Sequence, residues 1–271
     1  MLYGRILISM YSKEHINYLK KLKKEKIFIF IFQILILVFF SSLWQILADK
    51  QVINTFIFSS PKKVLDTIIN LTNKGLFLHI WTTVYETILS FSIATILGTI
   101  IAIILWYNKK VQKIIEPYLT ILNSLPKVAL GPIIIIWFGA GIKSIIFMAL
   151  LISLIITIIN VYEGFNNVNE NKIKLMKSMG ANKKQILFKL ILPNSINTII
   201  NALKINVSMS LIGVIMGEFL VSKRGIGYLI LYGSQVFNLS LVISGIFILC
   251  IVAAIMYYIV SFIEKKIIKY K

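Results

Sequence analysis

The sequence predicts an all-α, polytopic membrane protein of about six transmembrane helices. Three observations carry that expectation. Of the 271 residues, 58% are hydrophobic and only 14% are charged, whereas a soluble domain has about 45–50% apolar and about 25% charged residues. The apolar residues gather into uninterrupted runs long enough to cross about 30 Å of hydrocarbon at about 1.5 Å per residue. The net charge of +19 sits mostly in the segments between alternate runs. Too little polar surface remains for a water-soluble globule, and the same apolar content excludes a disordered chain.

The elements follow in order. Residues 1–26 form a basic N-tail ending in Lys20, Lys21, Lys23, Lys24 and Lys26. The run 27–47 carries no charge and reads as a retained first span, since a cleaved leader would have a shorter apolar region and a small-residue cleavage site. The second span is expected at 87–107. The third, at 119–138, is interrupted by Pro126, Lys127 and Pro132. The fourth to sixth are expected at 144–162, 201–221 and 241–263. They complete a transmembrane domain of 27–264, followed by a basic C-tail, 265–271. An even number of spans puts both termini on one side. With the N-terminus inside, the inside segments hold 22 Lys and Arg and the outside segments hold 7. The positive-inside rule therefore places both termini in the cytoplasm. Topology accounts for the +19, which removes the reason to expect a nucleic-acid partner.

The chemistry available at membrane depth is sparse. Cys250 is the single cysteine, so neither an internal disulfide nor a cysteine metal site is expected. His15 and His79 lie in different segments. No nucleophile–base arrangement, metal-ligand cluster or phosphate-binding glycine loop is present. The chain is therefore expected to have no catalytic residues, no metal and no bound cofactor, and not to hydrolyse ATP. Within the expected spans the charges are Lys127, Lys204 and Glu218. Both lysines can snorkel. Glu218 lies 14 residues beyond Lys204, about 21 Å along a helix, and either faces a cavity or partner or reaches the headgroup layer. Asn206, Ser210 and Glu218 share the fifth span and are the candidate pathway residues, since the polarity of the first two fits a translocation pathway as well as interhelical hydrogen bonding. Small residues at Ser90, Ala94, Gly98 and Ala102, and at Gly213 and Gly217, supply faces for close helix packing.

The segment 163–197 is long for a connection in a bundle and reads as two short amphipathic helices. The first, 169–179, presents Ile173 and Met176 with Leu175 and Met179. Gly180 is a natural left-handed stop. Asn182 suits an N-cap, with Gln185 three residues on completing a capping box. The second helix presents Ile186, Leu187, Leu190 and Ile191, and Pro193 bends or ends it. Six lysines accompany these helices. Their apolar faces either lie on an anionic membrane surface or dock on a cytoplasmic partner.

The order Gly180, nine residues, Leu190, one residue, Leu192-Pro193 resembles the cytoplasmic signature loop of bacterial ABC-importer permeases. Ser60-Pro61 with Val64 and Leu65 is similar to a Ser-Pro segment of that family. The stretch from Leu125-Pro126-Lys127-Val128-Ala129-Leu130-Gly131-Pro132 to Trp137-Phe138-Gly139-Ala140-Gly141 resembles the third span of the nitrate/sulfonate/taurine-type permeases. Gly217-Glu218-Phe219-Leu220 followed by Gly225-Ile226-Gly227 resembles the same subfamily. The resemblance spans about residues 40–265 and implies a binding-protein-dependent importer permease fold in a bacterial cell membrane. It implies a second permease copy, two ABC ATPase subunits that use the ATP, and an extracellular or periplasmic solute-binding protein. The coupling segment would comprise Lys174, Leu175, Met176, Met179, Gly180, Ala181, Ile186, Leu187, Leu190, Leu192 and Pro193, with Met176, Met179, Ile186 and Leu187 as contact surface. Lys174, Leu175 and Met176 stand where the family has Glu-Ala-Ala, which reverses the local charge. The solute would be a sulfonate-, taurine- or nitrate-like anion or a thiamine or pyrimidine precursor. A secondary carrier and a membrane-embedded enzyme are the alternatives. A carrier would show internal repeats and more intramembrane ionisable groups than these three, and the enzyme lacks a catalytic constellation.

Overall fold

The computed structural model describes residues 13–268, so the outer parts of both expected tails, 1–12 and 269–271, lie outside the described residues. Among the described residues, five helices are long and apolar enough to cross a membrane, or six if one sharply bent pair counts as a span. The chain divides into two compact units, Met1–Leu65 and Asp66–Lys271.

In the first unit, α1 runs Lys13–Asp49. It starts well before residue 27 because the lysine-rich stretch contains no Gly or Pro to stop it. A short α2, Thr55–Phe58, is capped by Asn54, whose side chain accepts from the Phe56 N–H at 2.9 Å. Helix α3, Pro61–Thr72, begins in this unit with proline in its first turn, where the missing N–H costs nothing. Buried Ser60 precedes it and accepts from the Lys63 N–H at 3.3 Å.

The second unit is built on three long helices. These are α4, Leu76–Tyr107, α7, Ile142–Asn166, and α11, Ile196–Val221. Helix α7 packs against both others. The small-residue stripes are where the backbones meet. Ser90, Ala94 and Ala102 are wholly buried. A Cβ on Gly98 would lie 2.7 Å from the Thr157 side chain. On Gly213 it would collide with the Cα of Ala149, and on Gly217 it would lie 2.9 Å from the Cα of Ile145. Helix α12, Ile226–Gln235, and α13, Leu239–Ile268, close a second apolar core with α11 around Leu211, Ile215, Ile226, Leu229, Ile248 and Val252. Lys204 of α11 pairs with Glu264 of α13 at 2.5 Å, so this lysine has a carboxylate partner in addition to any route to the interface.

Between α4 and α7 the expected span 119–138 is not one straight helix. Helix α5, Lys109–Ser124, and the segment 127–138, which includes α6, Gly131–Phe138, meet at 88°. The break falls at Leu125-Pro126, with Leu125 extended at ψ 135°. A residue before proline is pushed out of the helical region, and proline removes the next N–H donor.

Candidate functional site

The loop between α7 and α11 is built from local signals. Helix α8, Glu170–Ser178, is capped by Asn169, which accepts from the Asn171 N–H at 2.8 Å. It ends in paired reverse bonds: Gly180 N–H to the Lys177 carbonyl at 3.0 Å and Ala181 N–H to the Met176 carbonyl at 3.0 Å. That closure requires a left-handed residue, and Gly180 supplies it at φ +77°. Helix α9, Lys183–Ile186, then starts in a complete capping box. Asn182 Oδ1 accepts from Gln185 N–H at 2.9 Å, and Gln185 Oε1 accepts from Asn182 N–H at 2.8 Å.

Pro193 acts differently from a simple stop. Residues Leu187–Ile191 widen into a π-turn, and a short α10, Leu192–Asn194, follows it. The Leu192 N–H bonds back five residues to Leu187. Proline at 193 offers no N–H to the Lys189 carbonyl and its ring crowds that oxygen, so the helix accommodates it by over-widening. Ser195 then anchors the turn into α11 by donating to the Gly164 carbonyl at 3.2 Å.

Burial divides the expected contact surface. Ile186 and Leu187, expected to face a partner, are 3% exposed and pack with Ile191 on Ala102, Phe165, Val168 and Ala202. They anchor the loop to the membrane helices, each contributing about 1.5–3 kcal/mol by burial, and a partner cannot touch them. Met176, Ala181, Leu190, Leu192 and Pro193 are half-buried, and Lys174 and Gly180 are exposed. The side chains that remain free are Leu175, 61% exposed, Met179, 78% exposed, and Phe188, 65% exposed. Phe188 is invisible to the sequence pattern because it falls off the apolar stripe of the second helix.

A second cluster lies between α4, α11 and α12. Gly225, the residue before α12, has no side chain with which to cap it. Its own N–H and the first two of the helix are satisfied from elsewhere in the chain. His79 Nδ1 accepts from Gly225 N–H at 3.1 Å. Thr83 Oγ1 accepts from Ile226 N–H at 2.8 Å and donates to Glu218 Oε1 at 2.6 Å. Glu218 Oε2 accepts from Gly227 N–H at 2.5 Å. Glu218 is fully buried, so its carboxylate faces protein and neither lipid nor water. It is the remote cap of a helix terminus that would otherwise bury orphan donors.

The Glu86 carboxyl, 1% exposed, is a neighbour of Glu218, and its Oε2 has no hydrogen-bond partner. It is not among the intramembrane charges the sequence predicts, because α4 extends well before residue 87 and the polar His79, Thr83 and Glu86 mask its first turns in a hydropathy reading. Asn206 and Ser210, also fully buried, continue the polar seam along α11. Asn206 donates to Thr95 Oγ1 at 3.1 Å, while Asn206 Oδ1 and Ser210 Oγ have no hydrogen-bond partner. Among the described residues no group of His, Cys, Asp and Glu could hold a metal ion.

Residues 94–269 match the family described as binding-protein-dependent transport system inner membrane component. The chain belongs to that family. This permease is 27% identical over 186 residues to the formylaminopyrimidine transport permease protein ThiX of Halalkalibacterium halodurans, covering 69% of this chain and 74% of that one. It is 25% identical to the putative aliphatic sulfonates transport permease protein SsuC of Bacillus subtilis, covering 85% and 84%. It is 23% identical to the taurine transport system permease protein TauC of Escherichia coli, covering 78% and 79%. These place it among ABC importer permeases of the sulfonate, taurine and nitrate subfamily. Inward-facing structures of the MetNI methionine ABC transporter share the permease's fold, with a TM-score of 0.62 at 20% identity over 72% of this chain and 95% of that one.

Proposed function

We infer that this importer permease forms the translocation pathway for a small solute and takes its driving force from ABC ATPase subunits seated on the 163–197 loop. The observation that carries this reading is the exposed set Leu175, Met179 and Phe188 on a loop whose caps and buried anchors fix its shape. Large apolar side chains held rigidly in the open favour a partner surface. Two ATPases would bind a pair of permease copies, both termini would lie in the cytoplasm, and a solute-binding protein would deliver cargo from the other side. ATP is used by the partner, and this chain holds no cofactor. Asn206 and Ser210 are the pathway-facing groups in this reading. Their unpaired atoms cost on the order of 1–3 kcal/mol each while dry, and they regain partners if the α4–α11 seam opens to water. Glu218 is already committed to capping α12.

The relatives' cargoes set the candidates: a formylaminopyrimidine, taurine, another alkanesulfonate, or nitrate. Proteoliposomes holding the permease, its ATPase and internal ATP, with the binding protein outside, should accumulate one of these. Accumulation should stop without ATP and in a Leu175→Asp/Met179→Asp variant. Uptake that needs an ion gradient and ignores ATP would instead establish the secondary carrier.

A further inference from the structure

The loop has a second face, on the side of α8 away from exposed Leu175. On α8, Glu170, Ile173, Lys174 and Lys177 fall at i, i+3, i+4 and i+7, one side of the helix. They line a cavity of about 470 Å³ that also takes in Trp106 at the end of α4, Lys109 at the start of α5, Tyr162 and Phe165 of α7, and Lys183. Leu175 lies on the opposite side of α8 and Met179 just past its end, and neither lines the cavity, so an occupant leaves both free.

The cavity has an apolar floor and a cationic rim. Phe165 and Ile186 are buried beneath it, and Trp106 and Tyr162 are half-buried. Four lysines face it, with Glu170 the one carboxylate among the lining residues. Lys183 is already oriented: its Nζ donates to the Tyr107 carbonyl at 2.5 Å and lies 5.0 Å from the Tyr107 ring centre, which leaves further ammonium protons for an anion. The cavity also sits at a particular depth. Trp106, Tyr107 and Tyr162 close the apolar stretches of α4 and α7, where aromatic side chains mark the headgroup level. A fully hydrated anion would waste the floor, and a neutral apolar ligand would leave the lysines uncompensated.

We propose that this cavity binds the headgroup of an anionic phospholipid, its phosphate among Lys109, Lys174, Lys177 and Lys183 and its glycerol and first acyl carbons on Trp106, Tyr162 and Phe165. A basic pocket between membrane helices at the interface is the chemistry that selects such lipids. Lys174 is then a ligand of the lipid, and its charge has a use that an acid at that position would defeat. The site does not depend on the ATPase contact and is tested without it.

The full chain carrying Trp44→Phe, Trp81→Phe and Trp137→Phe keeps Trp106 as its one tryptophan. In phosphatidylcholine vesicles, brominated phosphatidylglycerol should quench Trp106 several-fold more than brominated phosphatidylcholine at equal mole fraction. Neutralising Lys109, Lys174 and Lys177 to Gln should remove that preference, at about fivefold in affinity per lysine. Lys172→Gln, Lys184→Gln and Lys189→Gln together should leave it intact. Equal quenching by both lipids overturns the site, and this comparison stands even if the lysine variant fails to fold. An equal loss in the control triple reduces the effect to general surface attraction and also overturns it. Relief of quenching by inorganic phosphate at matched concentration would assign the pocket to free phosphate and overturn the lipid.

Discussion

Gly213→Leu should prevent α7 and α11 from packing, with loss of monodisperse protein after detergent extraction. A Cβ at Gly213 runs into the Cα of Ala149 and meets its Cβ at 3.1 Å, so the obstruction is backbone and no rotamer relieves it. Overpacking a tight core costs about 1–3 kcal/mol for ordinary insertions, and a leucine side chain facing a helix backbone should exceed that range. Gly213→Ala should already lower the unfolding temperature. Ala149→Gly should rescue it only in part, because the main chain at position 149 stays in the way. By contrast, Gly75→Ala meets open space, and its cost is limited to the strain at φ +89°. Equal unfolding temperatures for Gly213→Leu and the parent would refute the close approach of the two helices.

Glu218→Ala should destabilise the unit by about 1–3 kcal/mol, since it strands the buried Gly227 N–H, while the Thr83 hydroxyl keeps the His79 carbonyl as acceptor at 3.3 Å. Glu218→Gln keeps the shape and one acceptor and should lose less. Glu86→Gln should lose least, because a carboxamide brings its own donor to the contact with Glu218. The order Ala, then Gln at 218, then Gln at 86 can be read from unfolding temperatures in one detergent. If Glu218→Ala were silent, the remote cap of α12 would be wrong. Hydrogen exchange should place the damage at the first amides of α12, 226–228, before it reaches α7.

What the sequence disclosed follows the range of the interactions. Spans are legible because hydropathy is summed locally. The caps at Gly180, Asn182 and Gln185 are legible because each partner lies within five residues. The cap of α12 is not, because Thr83 and Glu218 are 135 positions apart and His79 and Gly225 are 146 apart. The stripe that contains Ile186 and Leu187 announced an apolar face without saying what covers it, and the chain's own α4, α7 and α11 do so. The π-turn ahead of Pro193 was hidden because a proline predicts a missing bond and does not dictate whether the helix breaks or widens. The identity of the exposed set required the fold, since Leu175 and Met179 lie on one side of Gly180 and Phe188, in the π-turn, on the other.

The most direct test of the loop as the ATPase seat is native mass spectrometry of the permease co-expressed with its ATPase. The parent should retain ATPase subunits, and Leu175→Asp/Met179→Asp should release most of them while the permease keeps its unfolding temperature, because both side chains are exposed. ATPase bound in full to that folded variant would contradict the seat.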